Sequence, residues 1–258
     1  MASIKRWVVG SVAGALLLAQ GWATYAAPFT ITDPYLQPPN NCGSLATCDV
    51  IGLQADFDIN NIAFTSLTNS NVTAQIYFNY HSGAQNLASW TDFGISLNPG
   101  DLIFKSGSNN YAIPLTSHSG LTAGQLYSVG ASDLKTADQV IGHHSNLIYR
   151  NNEIVWATGG AVNGSPISFS VACLSGTPVN GQCPSGVNEL IVTLSFDPND
   201  AFWTDLSTQG MNVHFASATC ANDIIDGFIP TPEPSTLLLL GSGLVAAGVA
   251  VRRRFART

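Results

Sequence analysis

Short runs of strand-forming residues, separated by turn signals, most constrain the fold of this 258-residue chain. The runs are rich in β-branched and aromatic residues, and the turns between them include NPGD, SGSNN and DPND. This pattern is typical of a β-sandwich or a barrel. The one stretch with some helical character is AFWTDLSTQG, for which we predict a short helix. The predicted strand runs are QADFDINNIAF, NVTAQIYFNY, DLIFK, QLYSVGAS, NEIVWATGG, SPISFSVAC and NELIVTLSF.

The interior of the chain predicts one domain. No long polar linker interrupts residues 27–230. All-β domains of roughly 200 residues are often single units, and a chain of this length buries a sizeable core without help from metals. We therefore predict an all-β fold, a single β-sandwich or jelly-roll-like domain, over residues 27–230.

The N-terminus has the layout of a secretory signal peptide. A basic start, MASIKR, precedes the apolar stretch WVVGSVAGALLLAQG and the small residues of WATYAAP. A charged start, an apolar middle and a small-residue cleavage site define such signals. We predict a signal peptide over residues 1–26 with cleavage after Ala26, and cleavage after Ala23 as the second choice. An uncleaved N-terminal anchor is the alternative.

The C-terminus ends in an apolar run followed by arginines. Leu237 to Val251 carries no charge, and Arg252, Arg253 and Arg254 follow directly. A membrane-spanning helix needs about 20 apolar residues, with a lower bound of about 17, so this run is short but sufficient if flanking residues lie at the headgroup level. Arginines beside a span remain cytoplasmic. We predict a transmembrane helix over residues 236–251 and an Arg-rich tail over 252–258, with a buried core helix as the alternative.

The order of motifs at this end resembles the PEP-CTERM sorting signal of exported proteins in Gram-negative bacteria. Here the triplet is Pro232-Glu233-Pro234, with Thr231 where the family often has Val. The resemblance implies recognition by an exosortase, a membrane-embedded transpeptidase, with processing near the triplet. It also implies a transient membrane anchor and final delivery to the cell surface or to the extracellular polysaccharide of a biofilm. Because proline disfavours helix at itself and at the preceding residue, the triplet keeps the chain extended for processing.

Two interior stretches also resemble segments of exported PEP-CTERM proteins. They are YAIPLTSHSGLTAGQLYSV and HFASATCANDIIDG. This resemblance implies a sandwich whose last strand, around Asn212 to Ala216, leads into the sorting tail.

The charge balance excludes one class of partner. Residues 27–230 contain fifteen acidic residues, against which the basic residues are only Lys105, Lys135 and Arg150. Binding to nucleic acid phosphates needs clusters of Lys and Arg, so we predict no nucleic acid partner. The acidic surface is compatible with divalent cations and neutral polymers, although solubility of an exported protein explains it more simply.

Five cysteines bear on the redox state: Cys42, Cys48, Cys173, Cys183 and Cys220. Export permits disulfides, and CGSLATC and CLSGTPVNGQC each enclose a loop of turn-forming residues. Spacing alone does not fix connectivity. Our first choice is two local bridges, Cys42–Cys48 and Cys173–Cys183, with Cys220 left over. The spacing does not match the usual patterns of zinc ligands.

The sequence offers weak signals for catalysis. His143 and His144 stand beside Ser145 in GHHSN, but neighbouring strand residues point to opposite faces, which argues against a working dyad. No Gly-x-Ser-x-Gly or His-Glu-x-x-His pattern is present. With fifteen acids, some pair will always meet the spacing of a glycosidase. The candidates for such a pair are Asp56, Asp58, Glu153, Glu189 and Asp205. We predict no catalytic residues.

Two acidic stretches are weak calcium candidates. DPND, with a nearby acid, and CANDIIDG place several oxygens on loops, as calcium prefers, but neither has the spacing of an EF-hand. Asp and Asn also initiate turns and cap helices, and we predict Asp200 as a helix N-cap. We therefore predict no metal and no cofactor. The residues concerned are Asp197, Asn199, Asp200, Asp205, Asn222, Asp223 and Asp226.

Two alternatives to a non-catalytic surface or matrix protein stay open. One is a carbohydrate-binding or adhesive module that uses exposed aromatic residues, although aromatics in a sandwich are more often core. The other is a secreted polysaccharide hydrolase with an unrecognised site. The aromatic candidates are Trp90, Trp156, Trp203, Tyr111 and Tyr149.

Overall fold

A computed structural model describes most of the chain between the two termini. The described residues are 28–33, 50–51, 54–83, 87, 89–92, 95–143, 149–184, 186, 189–231, 241–245 and 247–248. The chain divides into two units, one of Ala27–Thr231 and one formed by the terminal segments Met1–Ala26 and Pro232–Thr258. The predicted signal peptide lies outside the described residues.

The unit Ala27–Thr231 is built mainly from strands. Its strands are β1 (Phe29–Thr32), β2 (Ile59–Thr68), β3 (Asn71–Asn79), β4 (Trp90–Asp92), β5 (Ile95–Leu97), β6 (Leu102–Ser106), β7 (Asn109–Ile113), β8 (Tyr127–Val129), β9 (Leu134–Thr136), β10 (Ile154–Ala157), β11 (Ala161–Val162), β12 (Gly164–Cys173), β13 (Glu189–Pro198), β14 (Met211–Ala216) and β15 (Ile224–Ile229). Its helices are α1 (Gln54–Phe57), α2 (Ala137–Ile141) and α3 (Asp200–Gln209), with a 3-10 turn over His81–Gly83.

The strands form two main sheets. The first sheet has the order β1-β2-β3-β13-β12, and the second has the order β11-β8-β7-β6-β14-β15. Every recorded strand pair is antiparallel. Two further antiparallel strand pairs, the hairpins β4-β5 and β9-β10, form separate two-stranded sheets that do not continue either main sheet. The prediction of a mainly β fold is therefore confirmed, while its jelly-roll-like connectivity stays a prediction.

Alternation along the strands determines which side of the first sheet is buried. In β3, Val72, Ala74, Ile76 and Phe78 are fully buried, and the residues between them are half-buried. Successive side chains of a strand point to opposite faces. The even-numbered residues of β3 therefore face the core, and the odd-numbered residues face outward.

Aromatic side chains from both sheets meet in the core. The ring centroids of Phe64 in β2 and Phe104 in β6 are 6.5 Å apart, and those of Phe78 in β3 and Phe215 in β14 are 5.2 Å apart. Phe196 in β13 lies 6.4 Å from Phe104. The two sheets thus pack face to face as a sandwich, because the inner residues of each strand contact those of the opposite sheet.

The outer face of the second sheet is covered by the β9-β10 hairpin and the segment after β7. Ile103, Ala112 and Tyr127 from the sheet form a second apolar cluster with Leu121 and Ala157. Burying this face requires that the covering segments be held at fixed positions. The polar contacts described below supply that attachment.

Two predicted boundaries were wrong. QADF forms the helical turn α1, and the strand begins only at Ile59, because Phe57, Asp58 and Ile59 are all buried in succession rather than alternating. The strand that leads into the tail is β15, not the stretch Asn212 to Ala216, which is β14. The prediction of a loop over CANDIIDG is also wrong in its second half, because Ile224 to Ile229 pairs with β14 along its full length.

Helix α3 confirms the predicted short helix but corrects its cap. Asn199, not Asp200, is the N-cap: its side chain accepts a 2.9 Å hydrogen bond from the Phe202 backbone N–H. Asp200 occupies the first turn instead, where a carboxylate interacts favourably with the helix dipole. Three residues of DPND, Asp197, Asn199 and Asp200, are of types that cap helices. Strand β13 extends to Pro198, and Asn199 is the next residue.

The cap makes a testable contribution to stability. We expect Asn199→Ala to lower the free energy of unfolding by about 1 kcal/mol, since the Phe202 N–H loses its acceptor. Asn199→Asp keeps a side-chain oxygen at the same place and should lose much less. Urea unfolding of both variants measures the difference. Equal losses in the two variants would show that the cap hydrogen bond is not the cause.

The predicted membrane span lies mostly outside the described residues. Residues 241–245 and 247–248 are helical, and the rest of 236–251 is not described. Within the described part of the chain, no helix has both the length and the apolar character needed to cross a bilayer.

Candidate functional site

The end of β15 positions the start of the tail. β15 is the edge strand of the second sheet and pairs with β14 from Ile224 opposite Ala216 to Ile229 opposite Met211. Ile229 is fully buried, whereas Pro230 is exposed. The folded strand therefore ends at Ile229, and the chain leaves the sandwich at the next residue.

The residues predicted for sorting follow this exit. Pro232, Glu233 and Pro234 lie outside the described residues, as do Arg252, Arg253 and Arg254. Their predicted roles stay predictions.

The predicted cysteine pairs are described only in part. Cys173, at the end of β12, and Cys183 form a disulfide. Cys42 and Cys48 lie outside the described residues. The Cys220 thiol is buried and donates to Asn222 Oδ1 in the loop between β14 and β15.

A buried aspartate and a buried histidine form the most unusual polar cluster of the sandwich. Asp101 lies just before β6, and its Oδ1 is 2.8 Å from His118 Nε2. Its Oδ2 accepts a 2.8 Å hydrogen bond from the Ala157 backbone N–H in β10. The side chain of Asp101 is 0% exposed and that of His118 is 7% exposed. The carboxylate thus joins three segments that are distant in the sequence.

An aromatic side chain covers the histidine. The rings of His118 and Trp156 are parallel, with centroids 4.0 Å apart and an interplanar angle of 6°. The Trp156 indole N–H donates to the Pro99 carbonyl oxygen at 3.4 Å. His118 Nδ1 is buried and has no hydrogen-bond partner among the described residues.

Burial dominates the electrostatics of this cluster. Desolvation raises the pKa of the Asp101 carboxyl, and the hydrogen bonds from His118 and Ala157 oppose that effect. The side chains of Asp101 and His118 are enclosed by the fold, and Ser119 and Gly120, which follow His118 directly, have φ values of 49° and 80°. The contacts of Asp101 attach the His118 loop and β10 to the second sheet, so the cluster has a structural role.

Sequence reasoning missed this cluster. Asp101 and His118 are 17 residues apart, and Trp156 and Ala157 follow much later in the chain. The stretch containing SHSG drew attention only through its resemblance to other exported proteins. The Ser-Gly pair after His118 is a sequence signal for a turn. The partner of His118, Asp101 just before β6, is set by tertiary packing.

A second histidine links three strands. His214 Nδ1 of β14 is 2.8 Å from Asp226 Oδ1 of β15, and its Nε2 is 2.7 Å from the Ile154 carbonyl oxygen of β10. The imidazole ring thus contacts β15 through one nitrogen and β10 through the other. The hydrogen bond from His214 lowers the pKa of Asp226, with nearby Lys105 acting in the same direction.

The lowered pKa of Asp226 predicts an acid-dependent loss of stability. A depressed carboxyl pKa stabilises the fold above the unfolded value of about 3.9, and this contribution is lost as the pH falls through the folded value. We expect the free energy of unfolding to decrease as the pH falls below about 4, more steeply for the wild type than for Asp226→Asn. Urea unfolding at stepped pH measures this. Asp197→Asn, at an exposed carboxyl, serves as the control and should match the wild-type slope.

The acidic candidates for catalysis or metal binding are used by the fold. Asp205 Oδ2 accepts hydrogen bonds from Tyr111 Oη and Asn109 Nδ2, each at 2.8 Å. Asp223 is fully buried and accepts backbone N–H groups from Ile59 at 2.7 Å and from Ile224 at 2.8 Å. Each of these two carboxylates therefore accepts two hydrogen bonds from groups of the fold.

Two of the remaining acidic candidates, Asp58 and Glu189, interact electrostatically. Burial raises the pKa of Glu189 and the charge of Asp58 raises it further, while the hydrogen bond that Glu189 accepts from Asn60 Nδ2 at 2.9 Å opposes both effects. Asp58 is buried beside β2. No group of three His, Cys, Asp or Glu side chains arranged to hold a metal ion is found in the described ranges.

Of the candidate residues in GHHSN, the structure describes His143. His143 Nδ1 lies 3.0 Å from Asp138 Oδ1 of α2, and the His143 side chain is 72% exposed. Asp138 also accepts a hydrogen bond from Tyr149 Oη. His144 and Ser145 lie outside the described residues.

The aromatic candidates for sugar stacking are largely buried. Tyr111 packs against Phe202 in the core, and Tyr149 is buried in a different apolar cluster, with Phe57 and Val155. One face of Trp156 is occupied by His118. Trp203 on α3 is half-buried, and the side chain of Trp90 is not among those that the structure describes.

Comparison with known proteins identifies the tail. The family model of the PEP-CTERM protein-sorting motif matches residues 230–254. The match begins at the first residue after β15. No curated protein and no solved structure matches the chain.

The chain therefore carries a PEP-CTERM sorting motif, as its sequence indicated. This motif supports an exported protein that is targeted by an exosortase and located at the surface or outside the cell.

Proposed function

We propose that this protein is a non-catalytic surface or matrix protein of a Gram-negative bacterium. In this proposal an N-terminal signal peptide directs export, the apolar run in the tail anchors the chain transiently, and an exosortase processes it near Pro232-Glu233-Pro234. The β-sandwich then remains at the cell surface or in the biofilm matrix, associated with exopolysaccharide.

One observation carries the proposal: the sorting motif starts where the folded strand ends. The match covers residues 230–254, and β15 ends at Ile229. Processing needs an accessible, extended segment, and proline disfavours helix at itself and at the residue before it. Removal of the tail leaves β15 and its pairing with β14 unchanged, so the sandwich persists after processing.

The use of polar side chains supports a non-catalytic role. The carboxylates of Asp101, Asp205 and Asp223 accept hydrogen bonds that attach strands and loops to each other. A general acid or base needs access to a substrate proton, and the side chain of Asp101, whose pKa is raised by burial, is 0% exposed.

Mass spectrometry of the exported protein tests the proposal. We expect the form recovered from the surface or medium of the producing bacterium to begin near Ala27 and to end upstream of Leu237. Replacing Pro232, Glu233 and Pro234 with Ala should leave the tail attached and the protein in the membrane fraction.

A matched control separates processing from folding. The triple substitution Thr177→Ala, Pro178→Ala and Val179→Ala changes a loop between Cys173 and Cys183 and should leave processing unaffected. Recovery of wild-type surface protein that retains Arg252 to Thr258 would contradict the proposal and show a permanent anchor.

A further inference from the structure

The outward side of the first sheet presents uncharged polar side chains. The odd-numbered residues of β3 face outward and include Thr73, Gln75 and Tyr77. In β13, Thr193 and Ser195 alternate with the fully buried Val192 and Phe196; Thr193 is half-buried, and Ser195 has 9% of its surface exposed. The strand register aligns these side chains into rows that run across the sheet.

The first row consists of hydroxyl groups on four adjacent strands. Ser168 of β12 pairs with Ser195 of β13, Ser195 pairs with Thr73 of β3, and Thr73 pairs with Ser66 of β2. Neighbouring strands are about 4.8 Å apart, so hydroxyls repeat at that interval. Thr73 Oγ1 and Ser195 Oγ are hydrogen-bonded at 2.9 Å, which fixes their positions.

The next two rows add amide and aromatic groups. Ser170 pairs with Thr193, and Thr193 pairs with Gln75, whose Nε2 donates to Thr193 Oγ1 at 3.5 Å. Tyr77 lies one row further, between Ile191 and Asn61. Its hydroxyl donates to Gln75 Oε1 at 3.4 Å. Cross-strand pairs of this kind hold side chains in place before any ligand binds.

We name this surface the polar face and define it by Thr73, Gln75, Tyr77, Ser168, Thr193 and Ser195. Charged residues are confined to its two ends. In the five strands of the first sheet, the charged residues are Glu189 and Asp197, at opposite ends of β13. The chain as a whole has a formal net charge of −7, so this face is unusually neutral for the molecule.

We propose that the polar face binds a neutral glycan chain. Hydroxyl and amide groups both donate and accept hydrogen bonds, as sugar hydroxyls do, and the Tyr77 ring offers an apolar surface next to them. The first sheet carries neither Lys nor Arg, so no group on it pairs with the phosphate, sulfate or carboxylate of an anionic polymer. A row across four strands suits an extended chain.

This inference rests on the proposed association with exopolysaccharide and assigns it a surface and a ligand class. It does not rest on sorting, because the polar face belongs to the folded unit and not to residues 230–254. Faulty processing would therefore leave glycan binding intact, and absent binding would leave processing intact.

Affinity electrophoresis of the exported protein tests the proposal. The probes are dextran and hydroxyethylcellulose as neutral polymers and alginate as an anionic one. We expect retardation by at least one neutral polymer and none by alginate. Gln75→Glu places a carboxylate at the centre of the face with little change of shape, and Tyr77→Ala removes the ring. Each should weaken binding by about tenfold or more, as expected for the loss of one or two good contacts.

Ser128→Asp is the matched control, because Ser128 is an exposed strand residue on β8 of the other sheet. It should bind like the wild type, and thermal unfolding should show all three variants folded. Absence of retardation by both neutral polymers overturns the proposal. Equal binding by wild type and Gln75→Glu also overturns it. A concentration-dependent dimer that Gln75→Glu disrupts would overturn it as well, since a second copy of the chain would then occupy the face.

Discussion

Replacing Phe104 with Ala is expected to lower the free energy of unfolding by about 3 to 5 kcal/mol, the range for large aromatic deletions in well-packed cores. Phe104 is fully buried at the centre of the sandwich. Its ring contacts those of Phe64, Phe196 and Phe202, with centroids 6.5, 6.4 and 5.4 Å away. The substitution removes contacts with the opposite sheet and with α3 together. Guanidinium unfolding of the folded unit measures the change.

Phe228→Ala provides the control for this prediction. Phe228 lies on β15 with 53% of its surface exposed, so its truncation should change stability by less than about 1 kcal/mol. If Phe104→Ala were as stable as Phe228→Ala, the packing of the two sheets described here would be wrong.

Asp101→Ala is expected to have the second-largest effect, a loss of about 2 to 4 kcal/mol. The substitution leaves the Ala157 N–H and His118 Nε2 buried without their acceptor, and each unsatisfied buried group costs about 1 to 3 kcal/mol. The loss should be concentrated in the covering segments, because Asp101 attaches β10 and the loop of His118 to β6. Hydrogen exchange of the Ala157 amide should therefore accelerate.

A double-mutant cycle separates the aspartate–histidine contact from general disruption. We expect His118→Ala and Asp101→Ala together to cost less than the sum of the two single substitutions, because residues in direct contact are coupled. Asp101→Asn serves as the conservative variant and should retain an acceptor for the Ala157 N–H. Strict additivity of the two alanine substitutions would contradict a direct role for the 2.8 Å contact.

The two histidine clusters have a common structural consequence. Both attach β10 to the second sheet, Asp101 through the Ala157 N–H and His214 through the Ile154 carbonyl oxygen. The β9-β10 hairpin forms a separate small sheet, so these side-chain contacts add to apolar burial in holding it. Variants at Asp101 and His214 should therefore loosen the same hairpin.

The sequence by itself determined the β class and the tail. Predicted runs such as NVTAQIYFNY and NELIVTLSF are β3 and β13, because alternating apolar residues need only a local two-residue period to be recognised. The order of Pro232-Glu233-Pro234, apolar run and arginines is likewise a linear pattern, and the family match at residues 230–254 agrees with it.

Local sequence patterns predicted the bounds of helices and strands less well where several neighbouring residues suit the same position and tertiary packing decides between them. Asn199 rather than Asp200 became the N-cap of α3, although both residues favour that position. β15 follows β14 as the last strand because it pairs with β14 along its length and buries Ile225 and Ile229, while Asp223 in the preceding loop accepts the N–H groups of Ile59 and Ile224. Neither choice can be read from residue types alone.

Only the tertiary structure decided which distant residues meet. Asp101, His118 and Ala157 come together because the loop after β7 and strand β10 pack on one side of the second sheet, next to the start of β6. Ser168, Ser195, Thr73 and Ser66 form a row because four strands share a register. Secondary structure depends on short-range periodicity, which a sequence displays directly. The alignment of strands depends on burying the inner faces of the two sheets against each other, and that requirement acts only in the folded chain.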